Sequence, residues 1–203
     1  MTLERHPLEP FLPQEASILF LGSFPPPRAR WSMEFFYPNF INDFWRVMGL
    51  LHFGDPRYFE IPGRKRFDRE RIVPFCQAHG LAFFDTALQV RRLKDNASDA
   101  FLEILEPTDV GALLERMPGC RRIVTTGGKA SEELQGILSA ACGRDIPLPP
   151  VGTCVDLEAW GRALTWWRMP STSRAYPLPL MQKAEAYRQL FPELPYSPPR
   201  SGM

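Results

Sequence analysis

Four short apolar runs, each closed by a glycine, proline or hydroxyl-rich loop, constrain this chain most. They are Ser17 to Leu21, Leu81 to Asp85, Arg121 to Thr126 and Ala163 to Met169. Each is strand length, and the first, Ile18-Leu19-Phe20-Leu21, is continuously apolar, as a central parallel strand covered on both faces must be. Helical patterns lie between them. Asn42 or Asp43 can cap a helix carrying Phe44, Val47, Met48 and Leu51 on one face. Further helices are expected over Asp68 to His79, broken or kinked at Pro74, then over Thr108 to Met117, Lys129 to Ala141 and Leu180 to Phe191. Strands alternating with helices predict an α/β fold: three layers, α/β/α, around a central parallel sheet of about four strands. In such a sheet the carboxyl ends of the strands share one edge, and ligands bind outside it.

With 203 residues, 44% of them hydrophobic, the chain has enough apolar material for one sizeable domain. We expect an N-terminal arm over 1–16, irregular and proline-bearing, a single domain over 17–191, and a proline-rich tail over 192–203. The net charge of +1 excludes a uniformly basic coat but leaves room for a local basic face. No apolar run follows the start Met1-Thr2-Leu3-Glu4, and no stretch is apolar enough to span a membrane, so a soluble cytoplasmic protein, a monomer without membrane contact, is expected. Cys76, Cys120, Cys142 and Cys154 form no C-x-x-C pair and have no histidine at ligand spacing. They read as free thiols, so no metal, cluster or other cofactor is expected.

Residues 22–41 form a long loop, and structureless loops of this length in compact domains usually carry function. It leads into Phe35-Phe36-Tyr37-Pro38-Asn39-Phe40-Ile41-Asn42-Asp43-Phe44-Trp45, where six aromatic side chains surround two asparagines. A flat, polar, hydrogen-bonding ligand such as a nucleobase suits that mixture. Buried aromatics are ordinary core material, but a buried amide needs partners. Gly127-Gly128-Lys129 after the third strand lacks the remaining residues of a nucleotide-hydrolysing phosphate loop, although a helix N-terminus there can take a DNA phosphate, with Lys129 beside it. Pro170-Ser171-Thr172-Ser173 at the end of the fourth strand can be a cap and turn, or can grip phosphates through hydroxyls and amides. Arg64, Lys65, Arg66, Arg69 and Arg71 are either a solvated helix face or phosphate contacts. His6, His52 and His79 fall in the arm and at helix ends, away from this edge, so a serine–histidine–aspartate triad is poorly supported.

Taken as a set, these landmarks resemble the uracil-DNA glycosylase superfamily over most of the chain. Gly22-Ser23-Phe24-Pro25-Pro26 resembles its first motif and Met169-Pro170-Ser171-Thr172-Ser173 its second, without the first motif's Asn or Asp and with Met169 where the second has His. The hypoxanthine (deoxyinosine)-DNA glycosylase branch and its mismatch-specific relatives are more similar. That branch has a Gly-Ser-x-Pro segment, an aromatic stretch with an Asn before Phe-Trp, and a Leu-Pro-Ser-Thr-Ser segment. Here these are Gly22 to Pro25, Phe36-Tyr37 with Asn42-Asp43-Phe44-Trp45, and Met169 to Ser173, with Asp85, Arg92 and Asp99 in a similar order. Pro38-Asn39-Phe40-Ile41 replaces the branch's His-Pro-Arg-like approach to the Asn.

The resemblance implies a monofunctional glycosylase hydrolysing the N-glycosidic bond of a flipped uracil or hypoxanthine in DNA. By it, Asn42 is catalytic, holding the attacking water, with Asp43 in reserve. Gly22, Ser23, Phe24, Phe36 and Tyr37 would bind the base. Pro170, Ser171, Thr172, Ser173 and Arg174, with Arg92 and Lys129, would contact DNA. No lysine falls in these pocket stretches, so hydrolysis without a Schiff base is expected. A relative that binds DNA without cleaving it, and an enzyme of free nucleosides, are the alternatives.

Overall fold

The computed structural model describes residues 2–93 and 101–194. In chain order the elements are β1 (Thr2–Arg5), β2 (Ile18–Gly22), α1 (Phe44–Phe53), α2 (Arg69–Ala78), β3 (Leu81–Asp85), β4 (Ala87–Arg92), β5 (Leu102–Pro107), α3 (Val110–Glu115), β6 (Arg122–Thr126), α4 (Gly128–Cys142), β7 (Thr153–Ala159), β8 (Arg162–Met169) and α5 (Leu180–Arg188).

The main sheet has the order β3-β2-β6-β8-β7. Its first four strands are parallel, and β7 joins antiparallel at the edge. With helices flanking it, this is the mixed α/β fold with a four-stranded parallel centre that the alternating pattern predicts. Burial explains the order. Every residue of β2 and β3 is buried, as continuous apolar runs between two helical layers require. The edge strand β7 buries only Leu157 and Ala159, so its other positions can be polar.

A second sheet, order β1-β4-β5, is antiparallel. Where an irregular arm is expected, residues 2–5 pair with 89–92. Where Arg91 and Arg92 are expected in a loop, they sit in β4. These strands are short and half exposed, so no long apolar run marks them. Lys94, Asp95, Asn96 and Asp99 lie outside the described residues.

Helix α2 runs unbroken through Pro74, against expectation. Pro74 is exposed, and the hydrogen bond it removes would have ended on the carbonyl of Glu70, also exposed, where water can replace it. Among the described residues no helix is long and apolar enough to cross a membrane.

Candidate active site

The register of the parallel strands sets the site. Gly22 at the end of β2 lies beside Asp85 at the end of β3, and Thr126 at the end of β6 lies beside Met169 at the end of β8. Outside this edge is a cavity of about 520 Å³, lined by 22–26, Arg30, 35–39, Ile41, Asn42, Asp85, Thr126 and 171–175, with Leu8 from the N-terminal segment. Gly22, Ser23, Phe24, Phe36, Tyr37, Asn42, Ser171, Thr172, Ser173 and Arg174 are therefore brought together. Asp43, Pro170, Arg92 and Lys129 are not among the lining residues.

Asn42 stands one residue before the cap position of α1. Its Oδ1 accepts the Phe44 N–H at 2.8 Å, which fixes the side chain. A carbonyl oxygen has a second lone pair, so this bond leaves room for one more donor. Among the described residues the Asn42 side-chain NH2 has no partner. The loop behind Asn42 is tied down from α1: Trp45 Nε1 donates to Phe36 O at 3.0 Å, and Arg46 donates to Phe40 O at 2.7 Å and Asn42 O at 3.0 Å. Arg46 is itself held by Glu60 at 2.7 Å. The aromatic-amide stretch is thus partly core, partly a rigid cavity wall.

Tyr37 has φ +50°, an uncommon conformation for a bulky residue and one that costs about 1–3 kcal/mol. Two contacts hold it there. Its ring stacks on Phe44 with centroids 4.0 Å apart and planes within 5°, and its hydroxyl lies 2.8 Å from Thr126 Oγ1. Burial raises the phenol well above its ordinary value, so Tyr37 stays protonated and neutral. Phe36 sits deeper, 4% exposed and stacked on Phe83, and Phe24 packs edge-on against His6.

On one flank of the cavity Asp43 pairs with Lys183 Nζ at 2.8 Å. Lys183, from α5, is 1% exposed and also donates to Ser173 O at 2.9 Å, while Asp43 N donates to Thr172 O at 2.9 Å. These bonds staple the start of α1 to the Ser171–Ser173 loop. They commit Asp43 Oδ2 to the fold, and Asp43, expected as the reserve water-holding residue, does not line the cavity. Lys183 does not line the cavity.

On the other flank is a pair that sequence reasoning missed. His6 Nε2 lies 3.0 Å from Asp85 Oδ2, and the side chains are 2% and 12% exposed. Pairing of β1 with β4 carries His6 there from the far end of the chain, through His6 N donating to Leu88 O. The only signal in the sequence was polar Asp85 closing an apolar strand.

Arg92 is 4% exposed; it pairs with Glu4 at 2.7 Å and donates to Pro25 O at 3.2 Å. Expected at DNA, it instead braces the Gly22–Pro27 loop, because β4 turns it inward. Arg66 Nε is used on Ser32 O, and Arg91 pairs with Glu103. Arg64, Lys65, Arg30 and Arg174 are exposed, and the last two line the cavity. Among the described residues no group of three or more His, Cys, Asp or Glu side chains is placed to hold a metal ion.

No protein-family model and no curated protein matches the chain. Among solved structures it is similar to the solution structure of a putative uracil DNA glycosylase from Methanosarcina acetivorans, with 21% identity, a TM-score of 0.60, and coverage of 93% of this chain and 99% of that one. At that identity the likeness establishes a shared fold.

Proposed function

We propose that this protein is a DNA glycosylase that hydrolyses the N-glycosidic bond of a flipped, deaminated base, uracil or hypoxanthine. The observation that carries this reading is the cavity at the carboxyl edge of the parallel sheet, where a fixed amide, Asn42, meets aromatic walls and a Ser/Thr loop. The shared fold with the Methanosarcina acetivorans protein supports it.

Each group has work in such a reaction. A base reaches a closed pocket only if its nucleotide leaves the duplex. Tyr37, the least buried of the three base-stacking candidates, offers its ring and phenol to it, with Ser23 and the Gly22 backbone beside the base edge. Cleavage leaves cation-like sugar and an anionic base, so a water must be held near the sugar carbon. Asn42 Oδ1, with one lone pair on Phe44 N–H, can accept the water's hydrogen with the other. The 171–175 loop and Arg30 and Arg174 at the cavity supply hydroxyls, amides and positive charge for phosphates.

The second reading, a relative that binds DNA without cleaving it, draws on the same bond, since the Asn42 carbonyl already has a donor and Asp43 is locked to Lys183. Duplexes and single strands carrying uracil, hypoxanthine, xanthine or a G·T mismatch, treated with protein and then alkali, separate the two. Strand breaks at the modified base support the glycosylase; binding without breaks across the panel supports the binder. Affinity should fall linearly with salt on a log–log plot, and a flat response would remove DNA as substrate under either reading.

A further inference from the structure

The Asp85–His6 pair has no part in the scheme above. Asp85 Oδ2 is taken by His6, while Oδ1 has no hydrogen-bond partner among the described residues. The aspartate is 8% exposed, and it lines the cavity. Oδ1 lies over Gly22: a Cβ on that residue would come within 2.5 Å of Oδ1 and 3.9 Å of the Tyr37 hydroxyl. Only glycine lets the carboxylate stand there. His6 is fixed in turn, its Nδ1 against the Leu8 backbone at 2.9 Å and its ring among Phe24, Phe36 and Phe84. Asp85 Oδ1 is thus an acceptor without a partner among the described residues, on a residue that lines the cavity, within reach of a ligand's donor.

We propose that Asp85, oriented by His6, determines specificity by accepting a hydrogen bond from a ring N–H of the bound base. This rests on the reading of the cavity as a base pocket, and it names what the pocket selects. Deamination converts adenine to hypoxanthine and cytosine to uracil. In doing so it turns purine N1, or pyrimidine N3, from a lone-pair acceptor into an N–H donor. A carboxylate oxygen attracts that N–H and repels the lone pair it replaces. Because His6 occupies Oδ2, one acceptor faces the cavity, matching one ring N–H; the paired N1–H and 2-amino donors of guanine would need two.

Free bases titrated into the full-length protein, followed by NMR or calorimetry, test this without chemistry. Hypoxanthine and uracil should bind on the order of tenfold to a hundredfold tighter than adenine and cytosine, and than 1-methylhypoxanthine and 3-methyluracil. Asp85→Asn keeps the volume. With its carbonyl on His6 Nε2–H, its NH2 would face the cavity, and the preference should turn toward adenine and cytosine. Equal binding of N–H and N-methyl bases, an unchanged preference in Asp85→Asn, or no binding of any base would overturn the assignment. Selective base binding without excision from DNA would overturn the glycosylase reading alone. Excision with no N–H preference would overturn this inference alone.

Discussion

Two buried acidic side chains flank the same cavity, and they differ in partner and in whether they face it. Asp43 gives its charge to Lys183, whose ammonium also reaches Ser173 O, and its backbone N–H closes on Thr172 O. Asp85 is held through one oxygen by His6 and keeps the other toward the cavity. A carboxylate tied to a buried ammonium away from the cavity is part of the scaffold; one tied to an imidazole at the cavity wall is within reach of a ligand. Both pairs join distant parts of the chain and both use a single carboxylate oxygen, but only Asp85 lines the cavity.

Breaking the Asp43–Lys183 pair should give the largest change in stability. Lys183→Met strands a buried carboxylate, at a cost of about 3–5 kcal/mol. At roughly 2–4 °C per kcal/mol for a chain this long, the melting temperature should fall by on the order of 10 °C. Replacing both partners, Lys183→Met with Asp43→Leu, should recover most of the loss, because an apolar pair strands no charge. A double variant as unstable as the single one would move the stabilisation from the ion pair to the Ser173 contact.

Asn42 lies between the flanks and should divide chemistry from stability. Asn42→Ala should slow base release on the order of a hundredfold. It should cost only about 1 kcal/mol of stability, since it also loses the bond to Phe44 N–H. A melting shift with unchanged release would make Asn42 a cap and nothing more.

Asp85→Ala should be nearly the converse of Lys183→Met. It strands one His6 donor, at about 1–3 kcal/mol, but also removes a carboxylate with an idle oxygen, so the net melting shift should be small. A shift as large as that of Lys183→Met would show that Asp85 is scaffold too.

The last effect lies outside the cavity and serves as a control. His52, in the last turn of α1, packs against Phe75, His79 and Phe191, and neither ring nitrogen has a partner. Burial, and then the nearby His79, push its pKa down to about 4. The unfolded chain therefore binds this proton first. The stability contribution is complete above about pH 6.5 and is lost as pH falls toward 4. Melting temperatures measured from pH 7.5 to 4.5 should decline over that window, and His52→Phe should flatten the decline while leaving base binding unchanged.

The parallel centre was legible because β2 and β3 are near-continuous apolar runs, as strands buried on both faces must be, and because all four strands, ending at Gly22, Asp85, Thr126 and Met169, run into glycine, proline or hydroxyl-bearing loops. The converging of Asn42 with the Gly22 and Ser171 loops followed from the shared edge. What stayed hidden depends on side-chain pairing across long sequence separations. The bonds of His6 to Asp85 and Lys183 to Asp43 span 79 and 140 positions, and nothing in the local pattern announces either. Arg92 misled for a related reason: in a half-exposed strand, one residue's register decides whether a guanidinium meets DNA or Glu4.

Single-turnover release of free base from a duplex carrying uracil or hypoxanthine, for the wild-type protein and Asn42→Ala side by side, bears most directly on the account. The account predicts release by the wild type, leaving alkali-labile sites, and release slowed about a hundredfold in Asn42→Ala at unchanged DNA affinity. A wild-type protein that binds these duplexes and releases no base, or an Asn42→Ala variant that releases base as fast as the wild type, would contradict it.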